Sequence, residues 1–573
     1  MLCRHGFTAI GFRGIALWMM AFILLIISLA PALAETPPAA ILETDALTLS
    51  WSTLRRLSLQ AGFDLPPYRP LSHAELITLL DRIAADDAPA LADLRERREL
   101  ATLYRTLDSE LPESILSAPT FGTVTTDVSE HSGWLMAGRV GVGTYTYGDV
   151  VASAAGYGPP TGWSSRLELS LSAWWRRWWV GVTPRLQGRF GSLEKLPSDG
   201  LLYPDWNRAT GRRSVRETRL SNGVWRLDWP RGVVGVRMGH WSLAAGWAAS
   251  RTGPGTAGTL VLTDTAPSFP AITARRTAPF AWRGFLRHIA PEHLLLRVGV
   301  LSRQTVEYWD DFETVQRENN PWFFQWLITF KHTSWLRTTI TSGAMAIARN
   351  GTLWPDLLQI NFPLLTATWA EVERGPVTDR IFALQFEARF RYAPWPLLPA
   401  AAGRLYWEYG GEDFRPQDEV KVLPQISAPA SVAGVELVSP RWDLACEYAD
   451  LRHAKVLWYD HNNFLEGYSH RGWVLGHPLG GSGRSLQGWL RWRPRGTTWE
   501  FQFSAARRTW GQTGLTVGRA ERTLGSVTLS QLRVPLLWKF TLEWIDEAVT
   551  QFTSEAGATG RDRWILAWLT FGL

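Results

Sequence analysis

From about residue 113 to the C-terminus the chain keeps a period of two. In 166–175, RLELSLSAWW, Leu167, Leu169, Leu171 and Ala173 share one face, opposite Arg166, Glu168, Ser170 and Ser172. In 382–392, FALQFEARFRY, Leu384, Phe386, Ala388 and Phe390 oppose Gln385, Glu387, Arg389 and Arg391. LYWEY sets Leu405, Trp407 and Tyr409 against Tyr406 and Glu408. WEFQFSA and KFTLEW repeat the pattern around Phe501, Phe503, Phe540, Leu542 and Trp544. Strict alternation over such runs specifies half-buried strands. The apolar face is rich in Trp and Phe, whereas the polar face carries charges of both signs on strand after strand. A transmembrane β-barrel has this pattern, with lipid outside, a polar lumen inside and aromatic girdles at both interfaces. A soluble β-sandwich is the rival reading, in which a second sheet would cover the apolar face. Lipid leaves no place for an open sheet edge, so a membrane sheet must close. Residues 113–573 have length for roughly 16–18 antiparallel strands of ~10 residues. The last stretch, RDRWILAWLTFGL, reads as a closing strand with Ile565, Ala567, Leu569, Phe571 and Leu573 on one face.

The start of the chain assigns the compartment. Arg4, His5 and Arg13 precede an apolar run at 15–30, followed by Ala32-Leu33-Ala34. A charged start, an apolar segment and an Ala-x-Ala site predict a secretory signal peptide over 1–34, cleaved after Ala34. A single anchoring helix is the alternative, since the run approaches spanning length. Beyond it no apolar run of ~18 residues occurs, so no helical span is predicted. The mature chain would hold only Cys446, which excludes an internal disulfide. The 33 Trp, 24 Phe and 13 Tyr need a home, and strands are one. Net charge is +6, but 59 Lys+Arg mix with 53 Asp+Glu, a balance that argues against nucleic acid.

Residues 35–112 differ. ALTLSWSTLRRLSLQAG and LADLRERRELATLYRTLDSEL have apolar residues at helical spacing. Ser72-His73-Ala74-Glu75 reads as a capping box opening LITLLDRIA. These predict a small N-terminal α-helical bundle on the periplasmic side.

Within the barrel region, 246–280 stands out. Gly253-Pro254-Gly255 with Pro267, Pro270 and Pro279 forbids one long strand, so an irregular lobe is expected, either plugging the lumen or capping it. Its glycines precede no helix, which disfavours phosphate binding. The acids Glu408, Glu412 and Asp413 read as charged lumen lining rather than as a glycosidase pair. The densest polar stretch is 459–481, YDHNNFLEGYSHRGWVLGHPLGG, a knot containing His461, His470 and His477. A structural zinc site wants four N or S ligands at short fixed spacings. These histidines lie farther apart and lack a cysteine, so no metal is expected. No G-x-S-x-G elbow occurs either. The bland alternative is a strand–turn–strand with polar side chains in a wet loop.

Three stretches together resemble the outer-membrane capsule assembly protein Wzi family. They are RMGHWSLAAGWAASRTGPGTAGTLVLTDTAPSFPAI, then RLYWEYGGEDF, then CEYADL leading to NNFLEGYSHRGWVLGHPLGGSGRSLQGWLRWRP. The likeness runs over nearly the whole mature chain. It departs at Arg251 and Thr252, where a second Trp commonly precedes the Gly-Pro-Gly, and at the terminal Leu573. The resemblance implies a Gram-negative outer-membrane barrel with a periplasmic helical bundle. It also implies a role in holding capsular or other extracellular polysaccharide at the cell surface.

On that reading the function is lectin-like rather than enzymatic, and needs no cofactor. Sugars are gripped by aromatic faces and hydrogen-bonding side chains. Tyr459, Asp460, His461, Tyr468, His470 and Arg471 in the knot, and Trp247 and Arg251 beside the Gly-Pro-Gly, are the candidate contacts. The partners expected are polysaccharide and outer-membrane lipid, and a closed barrel permits a monomer. A channel for export or uptake of polymer or solutes is the alternative, since a polar lumen suits a pore. A surface hydrolase is a third class, disfavoured by the missing nucleophile elbow.

Overall fold

The computed structural model describes most of residues 132–144, 163–190, 226–282, 290–347, 377–390, 402–412, 428–510, 519–550 and 559–572, with short pieces at 41–42, 55–59, 68–69, 71–72, 206–207 and 212–213. Eighteen of its strands close into one barrel. In chain order the first nine are β1 Ser132–Thr144, β2 Trp163–Trp175, β3 Trp178–Phe190, β4 Arg226–Met238, β5 Trp241–Trp247, β6 Ala271–Arg276, β7 Pro291–Val300, β8 Trp322–Lys331 and β9 Leu336–Ile347. The rest are β10 Val377–Phe390, β11 Ala402–Glu412, β12 Pro429–Val438, β13 Trp442–Asp450, β14 Gly483–Trp492, β15 Trp499–Trp510, β16 Arg519–Arg533, β17 Leu536–Thr550 and β18 Thr559–Gly572. Each pairs antiparallel with the next, and β18 closes on β1 from Trp568↔Gly143 to Gly572↔Arg139. The C-terminal strand expected from the sequence is the one that seals the barrel.

The wall is turned inside out relative to a soluble protein. On β11, Leu405 and Trp407 are 53% and 43% exposed on the outside, while Arg404, Tyr406 and Glu408 are buried inside. On β17, Phe540, Leu542 and Trp544 face out and Thr541 in. Exposed Leu167, Leu171, Leu296, Val298, Leu486 and Leu490 carry the apolar band to other sectors. A belt of this kind is unstable in water, at about 25 cal/mol per Å² of apolar surface left wet. Lipid is the solvent it fits. Indole rings finish the wall where side chains are missing. A Cβ at Gly232 would lie 2.6 Å from the Trp247 ring, and one at Gly525 1.8 Å from that of Trp544, so each ring covers a facing glycine. Pairing an aromatic across a strand glycine shields the bare backbone and fixes register.

The two ends differ. Met238 to Trp241, Lys331 to Leu336, Val438 to Trp442 and Arg533 to Leu536 are tight turns at one end. At the other end the chain makes long excursions, among them the lobe between β5 and β6 and the knot between β13 and β14. A hairpin, Gln304–Asp310 with Glu313–Asn319, also rises there between β7 and β8.

The lobe is shorter than 246–280. Ala271–Arg276 is a barrel strand paired with both β5 and β7. Pro267 and Pro270 precede it and Pro279 follows it, which leaves its own amides free to join the ladder. β5 and β6 are the shortest barrel strands, and between them the chain turns inward. Gly246 makes that exit with φ of 136°, where an added Cβ would sit 2.0 Å from the Gly232 carbonyl oxygen. Only glycine accepts both the conformation and the approach.

In the N-terminal region residues 55–59 are helical, inside the first predicted helix. Leu59 packs with Ala402 and Val438 at the short-turn end. Leu71–Ser72 is extended and pairs with Ile41–Leu42, and Tyr68–Arg69 pairs with Arg251–Thr252 of the lobe. These pieces of strand were not expected from the helical spacing. The signal segment 1–34 and the remainder of the predicted bundle lie outside the described residues.

Candidate functional site

The lumen changes character along its length, and β10 shows the gradient. Below the buried Asp379 near the long-loop end, its inward positions run Ile381, Ala383, Gln385, Glu387 toward the short-turn end, all buried. The charged level is organised around Arg404. Its Nη1 donates to Glu387 at 2.8 Å, its Nε to Glu436 at 2.8 Å, and its Nη2 to the Pro254 carbonyl of the lobe at 2.8 Å. Arg337 adds a 3.0 Å bond to Glu387, and Arg55 approaches Glu436 at 3.5 Å from the N-terminal helical piece. Burial and the neighbouring Arg404 charge push Arg55 down to about 10, with Glu436 acting in the opposite direction. Here Arg404, Arg337 and Arg55 each meet a carboxylate, as a low-dielectric interior demands.

A second carboxylate anchors the tip of the lobe. Glu447 accepts from the Thr256 and Ala257 amides at 2.5 and 3.2 Å and from the Tyr406 hydroxyl at 2.5 Å. Gly253, with φ of 135°, and Gly255 allow the tight path that presents those amides. Arg251 holds the lobe to itself, donating to the Gly255 carbonyl and approaching Asp264 at 3.4 Å. Past the tip, Leu260, Val261 and Leu262 are at most 1% exposed and enter an apolar core with Phe323, Met345 and Ile381 of the wall. The irregular segment is therefore a plug in the lumen.

The histidine knot lies over this plug. Tyr459 takes a left-handed conformation, φ 64°, rare for a residue with a Cβ. That bend lets its amide donate to Glu412 at 2.9 Å and its hydroxyl donate to the Leu260 carbonyl at 2.9 Å, while the hydroxyl accepts from the His477 amide at 2.8 Å. Its ring stacks on Tyr468 at 6.0 Å. Trp458 and Trp510 donate their indole N–H groups to Ala428 and Leu479 carbonyls at 2.8 and 2.7 Å. The Thr263 amide donates to Leu475 at 2.7 Å and joins knot to lobe directly.

All three histidines of the knot use Nδ1 in the same way. His461 accepts from the Asn463 amide at 3.1 Å, His470 from Ser302 at 2.8 Å and His477 from Leu479 at 3.1 Å. An Nδ1 that accepts an amide proton leaves the ring proton on Nε2, so each ring is the neutral tautomer in this arrangement. His477 Nε2 faces Glu447 at 3.8 Å. Burial holds its pKa below the ordinary histidine value, reinforced by Arg508 and Arg251, although Glu447 pulls the other way. Burial likewise raises the Tyr468 hydroxyl well above the usual phenol range, with Asp379, Tyr459 and Glu412 adding to it. Among the described residues no three His, Cys, Asp or Glu side chains come together as a metal site.

The structure thus separates the candidate contacts. Tyr459, Tyr468, His470 and Arg251 are buried and build the plug and its cover. Trp247 lies on the outer wall, 37% exposed, with its indole N–H donating to the Trp229 carbonyl at 2.5 Å. His461 is half-buried at the rim beside Phe464. Asp460, Arg471 and Asp413 lie outside the described residues. Glu408 and Glu412 line the lumen as expected, buried. Sequence reasoning missed Arg404, Glu436, Glu447 and the hairpin. The signal for the first three was present, since each lies on the polar face of an alternating strand, but alternation does not say which charges meet.

Eighteen antiparallel strands, an apolar aromatic exterior and a lumen closed by the chain's own loop define an occluded membrane β-barrel. The chain belongs to the Wzi family: the family model for capsule assembly protein Wzi matches residues 150–558. The structure is similar to Escherichia coli Wzi, an outer-membrane protein of group 1 capsule assembly described as a carbohydrate-binding β-barrel. That match has a TM-score of 0.58 at 16% identity and covers 94% of this chain and 99% of that one. Acinetobacter baumannii OccAB2 (TM-score 0.44, 9% identity, 77% and 98% covered) and Pseudomonas aeruginosa OccK5 (0.42, 9%, 78% and 98%) are also similar. No curated protein matches the sequence.

Proposed function

We propose that this chain is a non-conducting outer-membrane barrel that binds polysaccharide at its long-loop end, and so attaches or organises capsular or other extracellular polymer at the cell surface. The role is binding, not catalysis. Short turns face the periplasm and long loops the exterior in such barrels, so the capped end meets the polymer. The N-terminal helical segment then lies at the periplasmic end. The observation that carries the reading is the plug. A lumen sealed by lobe and knot offers a surface, not a path. Family membership and the carbohydrate binding described for the Escherichia coli relative support the ligand class.

The contact surface we assign is the knot rim with the adjoining hairpin. Asn463 and Glu307 exchange bonds at 2.7 and 2.8 Å, and Val306 bridges to Phe464, so the two form one surface. It offers His461, the exposed Gln316 and Glu318 of the hairpin and Arg303 just before it; Asp460 and Arg471 of the same sequence stretch remain candidates from the sequence alone. Deleting the gene should move polysaccharide from the cell-attached to the shed fraction. His461→Ala combined with Gln316→Ala should assemble normally yet retain less polymer. An unchanged partition on deletion defeats the function, and a change on deletion without one in the variant defeats only the surface. A large, steady current in planar bilayers would instead favour the channel.

A further inference from the structure

Beneath the lobe, against the inner faces of β4 to β7, lies a cavity of about 50 Å³ lined by Ser242, Thr273, Arg275, Leu295 and Arg297 among others. That is room for several waters at about 10–15 Å³ each, or for one compact polar group. Among the described residues no acidic side chain lines it.

Arg297 is 5% exposed, and its hydrogen-bond partners among the described residues are neutral. Nε donates to Thr273 Oγ1 at 3.3 Å and Nη1 to Gln325 Oε1 at 2.7 Å. Gln325 donates in turn to Thr252 of the lobe at 2.8 Å, which fixes the guanidinium in place. Arg337 and Arg404 in the same lumen instead meet carboxylates at 3.0 and 2.8 Å. A guanidinium does not shed its proton, so burial without a counter-charge is costly. A second, independent observation points into the same space. Ser242 Oγ is buried, lines the cavity and has no hydrogen-bond partner among the described residues. Its register neighbour across the ladder is Arg275, the other cation of the cavity wall.

We propose that this cavity is a binding site for a single oxyanion group, a carboxylate, sulfate or phosphate, neutralised by Arg297 and Arg275 and hydrogen-bonded by Ser242. The charge that Arg297 lacks is the charge such a group brings. The site is separate from the polysaccharide surface and stands whether or not that reading holds. Two sources share the chemistry, a free inorganic anion and the carboxylate of an acidic sugar.

The test is isothermal titration of the full purified chain in detergent micelles with sodium sulfate and, separately, with sodium glucuronate at constant chloride. Saturable binding of at least one probe is expected. Arg297→Gln should weaken it at least tenfold, Ser242→Ala several-fold, and the exposed control Arg507→Gln not at all. Glucuronate that competes with sulfate assigns the group to an acidic sugar, and sulfate binding alone assigns a free anion. If Arg297→Gln fails to assemble, Ser242→Ala decides. No binding by either probe, or equal binding by the assembled variants, overturns the site.

Discussion

The lobe and the knot fill the same lumen but are held by different chemistry. The lobe sits where the wall is charged, and its backbone is clamped by ionised side chains, Arg404 on the Pro254 carbonyl and Glu447 on the Thr256 and Ala257 amides. The knot sits higher, over the apolar core of Phe323, Met345 and Ile381 that it shares with Leu260, Val261 and Leu262 of the lobe, and is held by stacked rings, indole N–H groups and imidazole nitrogens, with one wall carboxylate, Glu412, on the Tyr459 amide. The difference follows the gradient along β10. A loop that lies deep must satisfy its backbone against charges. One that lies high takes one wall carboxylate, Glu412 on the Tyr459 amide, and sets its hydroxyl and indole groups against loop carbonyls. Substitutions at the two anchors should therefore fail differently.

The largest effect is expected at the charged anchor. Arg404→Ala leaves Glu387 and Glu436 short of a partner in a buried site, a loss of about 3–5 kcal/mol. Hydrogen exchange should show the amides of 253–258 losing protection while those of the knot change less. Equal loss in both would dissolve the distinction. At the neutral anchor, Tyr459→Phe keeps the ring and removes one hydroxyl that serves two groups. The Leu260 carbonyl and His477 amide are then buried without it, at about 1–3 kcal/mol each. Here the knot amides near 475–480 should exchange faster while Arg404 keeps its bond to the lobe.

The pH response sharpens the contrast. His477 has a folded pKa below its unfolded one, so its contribution is complete above the unfolded value of about 6.5 and is lost as pH falls through the folded value. The unfolded chain binds the proton first, and acid therefore favours opening. Thermal melts of the wild type should show the knot loosening below about pH 6.5, and His477→Gln should flatten that slope. The smallest effect is expected at Arg452, next to the knot and only half-buried. Its 2.7 Å pair with Asp450 raises its own pKa, yet a wet pair is worth only about 0–1 kcal/mol. Arg452→Ala should leave both exchange profiles within error. A large change there would mean that the rim, not the buried anchors, holds the cover.

Most of the wall was legible in the residues. LYWEY and KFTLEW announce outward Leu405, Trp407, Phe540 and Trp544, because a period of two fixes the face of every side chain once one face is known. The closing strand could be read at the C-terminus for the same reason. Where the lobe ended was less legible, since Ala271–Arg276 is short and flanked by prolines. The knot was visible as a cluster, but its role was not. Its histidines suggested a ligand site, whereas the bonds that define them run to backbone amides, one of them 168 residues away in sequence.

The sequence by itself determined that this chain forms alternating strands with an apolar, aromatic outside and a charged inside, and that 246–280 and 459–481 break the pattern. Those are local properties of adjacent residues. Only the tertiary structure decided that Tyr459 bonds Leu260 across 199 residues, that Arg404 gathers two wall carboxylates and a lobe carbonyl, and that Arg297 bonds no carboxylate among the described residues. Which charge meets which depends on strand register around a closed ring and on how far each loop reaches into it. Neither is encoded within any one stretch of the chain.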